Sequence, residues 1–193
     1  MKSQAILICI IWTLSFNAYA LEIAKGQSIY MQFNETQKNP ISNELRKPIL
    51  DAKVIKTLFG DNKNRVQFYN NVNTSEGMDK VFLKATTSKG LVFTPAQDMH
   101  YTLAQVWLAD NDDYAAYLNA TDTLREQLGA NVVFKLKVDK EKGNEPDFII
   151  LVQWSVLQNI AHYAKDETFL NNQHLFASGT TDFNWYQVTF YDQ

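Results

Sequence analysis

Residues 131–139 read N-V-V-F-K-L-K-V-D and residues 148–157 read F-I-I-L-V-Q-W-S-V-L, joined by K-E-K-G-N-E-P-D. In the first run Val132, Phe134, Leu136 and Val138 alternate with Lys135, Lys137 and Asp139, the period of two that marks a half-buried strand. The second run is apolar on both faces. Phe148, Ile150, Val152, Trp154 and Val156 share one, and Ile149 and Leu151 the other, which predicts a strand covered on two sides. The charged linker holds Gly143 and Pro146, so it reads as an exposed turn and the two runs as an antiparallel hairpin. The expectation is a single α+β domain: an antiparallel sheet, with the hairpin 131–138/148–157 at its centre, packed against two to four helices.

Outward from the hairpin, Tyr114, Tyr117, Leu118, Thr121, Leu124 and Leu128 trace one helical face that Gly129 stops. Asp110 to Asp113 supply its cap and an acidic first turn. Leu45, Ile49, Val54, Ile55, Leu58 and Phe59 recur at spacings that predict a helix over 47–59, with Pro48 in its first turn and Gly60 as its stop. Thr94-Pro95-Ala96-Gln97 has the form of a capping box, which favours a helix over 95–109, although H-Y-T-L-A-Q-V-W-L also reads as a strand. A further helix is expected over 159–170. Strands are expected at 28–33, 65–72 and 182–191, with a small hairpin formed by 81–86 and 91–94. The residues show no internal repeat.

The first twenty residues stand apart. Lys2, the apolar run Ala5 to Phe16 and Ala18-Tyr19-Ala20 match a signal peptide cleaved after Ala20, and the apolar run is too short for a stable membrane anchor. Residues 21–193 would then form the domain. That chain carries 17 Lys and Arg (18 less Lys2) against 21 Asp and Glu, a net charge of −4. The balance argues against a nucleic-acid groove. The single Cys, Cys9, falls in the removed segment, which leaves no thiol for a disulfide or for catalysis. A periplasmic or secreted bacterial protein is the expected setting, with no membrane insertion after cleavage.

The chemistry-bearing candidates are few. If 159–170 is helical, His162 and Asp166 are four apart on one face, and His174 could complete a two-His, one-carboxylate metal site beside Glu167. Asp110-Asn111-Asp112-Asp113 opens like a calcium loop but lacks the Gly and the terminal Glu, so capping explains it. There is no G-x-S-x-G elbow, phosphate loop or dinucleotide fingerprint, and no cofactor is expected. In the last strand Phe183, Trp185 and Tyr191 share one face, and Tyr186 and Phe190 the other. One face must pack on helices, and the other could bind a protein or an envelope glycan through Trp185, Tyr186, Phe183 and Tyr191. The functional expectation is therefore an exported binding protein such as an inhibitor, immunity or envelope-assembly factor. The alternative is an envelope-directed hydrolase using carboxylates or His162.

Overall fold

The computed structural model describes residues 20–35, 48–70, 82–87 and 89–191. All but Ala20 of the expected signal peptide therefore lie outside the described residues, as do most of the loop 34–42 and the turn after Val72. The strands in chain order are β1 (Leu21–Ile23), β2 (Ser28–Asn34), β3 (Leu50–Phe59), β4 (Arg65–Tyr69), β5 (Leu83–Thr86), β6 (Leu91–Phe93), β7 (His100–Leu108), β8 (Ala130–Val138), β9 (Phe148–Trp154) and β10 (Thr180–Phe190). The helices are α1 (Asn111–Ala120), α2 (Asp122–Gln127), α3 (Leu157–Tyr163), α4 (Glu167–Asn171) and α5 (Gln173–Gly179). The protein is α+β and its sheet is antiparallel, with β8 and β9 paired as the hairpin. The sheet does not stay open, however. Eight strands close in the order β10-β3-β4-β2-β5-β8-β9-β7, so β9 lies between β8 and β7 in a ring that has no centre and no edge.

The two faces of β9 divide as its sequence predicts. Ile149 and Leu151 are fully buried inside the barrel. Phe148, Ile150, Val152 and Trp154 face outward, into two clusters roofed by the helices. On β8, Phe134, Leu136 and Val138 point inward, whereas Val132, across a register shift, is 47% exposed. Helix α1 starts as expected: the Asp110 carboxylate accepts the N–H groups of Asp112 and Asp113 at 2.8 and 3.0 Å.

Two expected helices are strands. Residues 50–59 form β3, with Leu50, Ala52 and Val54 buried in the barrel and Lys53 and Ile55 outside. The period of two was present but masked, because apolar Ile55, Leu58 and Phe59 lie outward or at the strand end and fill in a helical spacing. Residues 100–108 form β7, paired on both sides with β9 and β10. Every residue from Tyr101 to Val106 is buried, and burial on both faces leaves no polar alternation to read. Among the described residues the expected small hairpin does not form: β5 pairs with β2 and β8, while β6 pairs with β1.

These pairings reveal a repeat of arrangement that the residues conceal. β1–β5 and β6–β10 follow one plan, giving the ring orders β3-β4-β2-β5 and β8-β9-β7-β10, joined where β5 meets β8 and β10 meets β3. Met31 of β2 faces Phe68 and Leu83, as Leu103 of β7 faces Leu151 and Tyr186. The leading strands β1 and β6 pair with each other. Their Leu21, Ile23 and Phe93 join the barrel core and plug one end, Phe93 lying edge-on to Tyr101 and Phe190 at 5.6 and 5.4 Å.

Leu151→Ala should lower stability in urea denaturation by about 2–5 kcal/mol, the cost of a cavity in a closed core. Ile55→Ala, at a position 54% exposed, should change it by no more than about 0.5 kcal/mol.

Candidate functional site

The end of the barrel opposite the plug is polar and open. It gathers the end of β7, the starts of β5 and β10, and the loops 60–64 and 139–147. A cavity of about 230 Å³ opens there, walled by Phe82 and Leu83 at the start of β5, by Gln105 and Trp107 of β7, and by Lys142, Asn144, Glu145 and Pro146 of the loop. The Trp107 indole N–H donates to the Asn144 carbonyl at 2.8 Å and ties the loop to the strand. Glu145 is only 6% exposed. Its Oε1 accepts the Lys142 backbone N–H at 2.7 Å, while Oε2 is buried with no hydrogen-bond partner among the described residues. Burial pushes this carboxyl up. The backbone N–H groups of Glu145, Lys142 and Gly143 and the charge of Lys142 outweigh it, leaving the group below the usual carboxylate range.

Behind this wall lies a buried hydrogen-bond array. Gln105 Oε1 accepts from the Tyr186 hydroxyl and from Asn184 Nδ2, both at 3.1 Å. Both bonds converge on the oxygen, so the amide is turned with Nε2 as its remaining donor. Asn184 Oδ1 in turn accepts the Asp61 N–H at 2.8 Å. Burial pushes the Tyr186 phenol far up, and the charges of Asp61 and Asp182 add to the effect, so the hydroxyl stays a donor. Gly60 makes this geometry available. Its φ is +83°, and a Cβ there would lie 1.8 Å from Asn184 Oδ1.

The expected site residues lie elsewhere. His162 is exposed on α3, Asp166 caps α4 by accepting the Thr168 N–H at 2.8 Å, and His174 is exposed on α5 with its ring 3.1 Å from the Asn171 carbonyl. Among the described residues no three His, Cys, Asp or Glu side chains gather as a metal group, so His162, Asp166 and His174 are not brought together. The aromatic set is likewise divided. Phe183 packs edge-on to Phe176 at 4.9 Å, and Trp185 packs into both outer clusters. Tyr186 is fully buried in the barrel, and only Tyr191, 45% exposed and 5.6 Å from the Arg65 guanidinium, meets solvent broadly. The linker expected to be exposed supplies the buried Glu145 instead. Gln105 and Asn184 carry no motif. The signal available for them was a polar residue on an inward position of an otherwise apolar strand.

No protein-family model matches the chain, and no curated protein matches it. Solved structures resemble it at low identity. An "anthrone oxidase-like protein" is 14% identical, with a TM-score of 0.49 over 91% of this chain and 94% of that one. A "putative monooxygenase" from Fusobacterium nucleatum is 8% identical, with a TM-score of 0.46 over 90% and 93%. A dimeric protein of ferredoxin-like fold from Bacteroides fragilis is 12% identical, with a TM-score of 0.32 over 49% of this chain and 96% of its own. The expectation of a non-catalytic inhibitor, immunity or assembly factor is corrected here. The aromatic face on which that expectation rested is covered: Phe183 and Trp185 pack under the helices and Tyr186 lies inside the barrel.

Gly60→Ala should displace the Asn184 side chain, which leaves the Asp61 N–H without its partner and Gln105 Oε1 with the Tyr186 hydroxyl as its remaining donor. A loss of about 1–3 kcal/mol is expected in chemical denaturation, with new side-chain amide shifts for Gln105 in NMR spectra.

Proposed function

We propose that this chain is an enzyme acting at the barrel mouth on a small, mainly apolar molecule, with the Glu145 carboxylate as proton acceptor. The observation that carries this reading is the buried Oε2 of Glu145, without a partner among the described residues, beside a cavity walled by Trp107, Phe82, Leu83 and Pro146. A fixed, desolvated carboxylate oxygen meets an incoming acidic proton without first shedding water. Because its partners hold Glu145 in the charged form, the base is available throughout the neutral range. Gln105 Nε2 supplies a donor for a substrate carbonyl and for the negative charge that grows on it as the proton leaves. The reaction class is proton abstraction next to a carbonyl. The activities named for the similar structures belong to those proteins, and no step is taken from them.

The test is exchange of the α-proton of small ketones, such as 2-tetralone, into deuterated water, followed by NMR. Glu145→Gln should reduce any catalysed exchange by about 10²-fold or more, and equal exchange by the variant would end the assignment. Stability should respond as well. The lowered pKa means that Glu145 stabilises the fold above the ordinary glutamate range of about 4.3, and that this contribution is lost as pH falls through the lowered value. Glu145→Gln should therefore flatten the acid limb of the stability profile.

We also propose that the chain is exported, that residues 1–20 are removed after Ala20, and that 21–193 work as one domain in the periplasm or outside the cell. What supports this is the sequence of Lys2, the apolar run Ala5 to Phe16 and Ala18-Tyr19-Ala20, with β1 beginning at Leu21. Among the described residues no helix is long and apolar enough to cross a membrane. Mass spectrometry of the protein made in a Gram-negative host should find Leu21 at its N-terminus in the periplasmic fraction, and an intact 1–20 segment there would refute it.

A further inference from the structure

The cavity at the barrel mouth carries a charge that the fold leaves without a counter-ion. Burial opposes ionisation of Glu145, but backbone N–H groups and the Lys142 charge outweigh it. Yet none of the ion pairs among the described residues includes Glu145. Its Oε1 is taken by the Lys142 backbone N–H at 2.7 Å, whereas Oε2 is buried with no hydrogen-bond partner. A buried charge in that condition is costly, and a cation with an N–H to donate relieves it. Room for one lies alongside, because Glu145 forms part of the wall of the cavity of about 230 Å³. The faces of Trp107 and Phe82 in the same wall attract cations as well as apolar rings. Lys142 also reaches this cavity, but it is exposed, so solvent screens it, and its charge is the smallest of the causes acting on Glu145. The carboxylate cannot easily swing out to water instead. Its loop is fastened by the Trp107 indole N–H on the Asn144 carbonyl, by Lys140 on Asp147 Oδ1 and by the Leu108 N–H on Asp147 Oδ2, each at 2.8 Å.

We propose that the barrel mouth binds a primary ammonium carried on an aromatic ring, with the ammonium donating to Glu145 Oε2 and the ring lying against Trp107 and Phe82. A neutral alcohol supplies a donor but no charge, and a quaternary ammonium supplies charge but no N–H. The primary ammonium supplies both. Such a ligand uses the same cavity as the proton-acceptor reading without resting on that reaction. Its cation sits where the acidic proton of a ketone would arrive, so it acts as a competitive regulator of the site.

Benzylammonium chloride is the probe, titrated by calorimetry into the purified protein near neutral pH, with benzyl alcohol as the uncharged control. Saturable binding of benzylammonium is expected, weaker by about tenfold or more for the alcohol, as the loss of a charge-assisted hydrogen bond implies. Glu145→Gln should erase the preference. The proposal is overturned if benzylammonium does not bind, if the two compounds bind equally, or if Glu145→Gln still prefers the ammonium, which would place it on other carboxylates. Should Glu145→Gln fail to fold, the comparison of the two compounds on the unchanged protein decides alone. The 2-tetralone exchange assay separates the two readings of the cavity. Exchange without ammonium binding ends this proposal and leaves the proton acceptor; ammonium binding without exchange ends the proton acceptor and leaves this proposal.

Discussion

Closure of the sheet is the constraint on which the rest of this structure depends. An open antiparallel sheet leaves two rows of unpaired backbone groups at its edges, whereas a ring of eight strands leaves none. The joins that close it, β5 to β8 and β10 to β3, tie the two repeats to each other. Each repeat alone would expose an inner apolar face; together they bury Ile29, Met31, Val66, Phe68, Leu103, Ile149 and Leu151 almost completely. The plug of β1 and β6 completes the enclosure at one end.

The same closure creates the functional end. Side chains on inward positions converge on a common interior, so residues remote in sequence become neighbours. Gln105, Asn184 and the Asp61 backbone meet through bonds that span 79 and 123 positions. A barrel filled with apolar groups at one end and polar groups at the other offers a pocket at the polar mouth, where a hairpin loop folds the Glu145 carboxylate inward. There the low polarity of the walls makes one partnerless oxygen consequential.

The repeats also show how one framework carries two surfaces. In the second, apolar outward residues are roofed by α1 to α5. In the first, the equivalent positions hold glutamines, an Asp51–Arg65 ion pair and a tyrosine. Backbone pairing is indifferent to this change, because strand hydrogen bonds do not read side chains. Two faces of one fold can therefore acquire unrelated chemistry.

The residues by themselves determined the hairpin of β8 and β9, the split of Phe148 to Trp154 between two faces, the Asp110-capped helix and the antiparallel α+β class. Each of these is local: a period of two, a period near 3.6, a cap within three positions. The sequence misled where both faces are covered, as in β7, or where outward apolar residues imitate a helical stripe, as in β3. The site was invisible for a different reason. Nothing within a few residues of Gln105, Asn184 or Glu145 records that they will meet, since their proximity is set by strand order and ring closure. Only the tertiary structure decided that His162 and His174 would stay apart in solvent while a glutamate from a charged turn became buried.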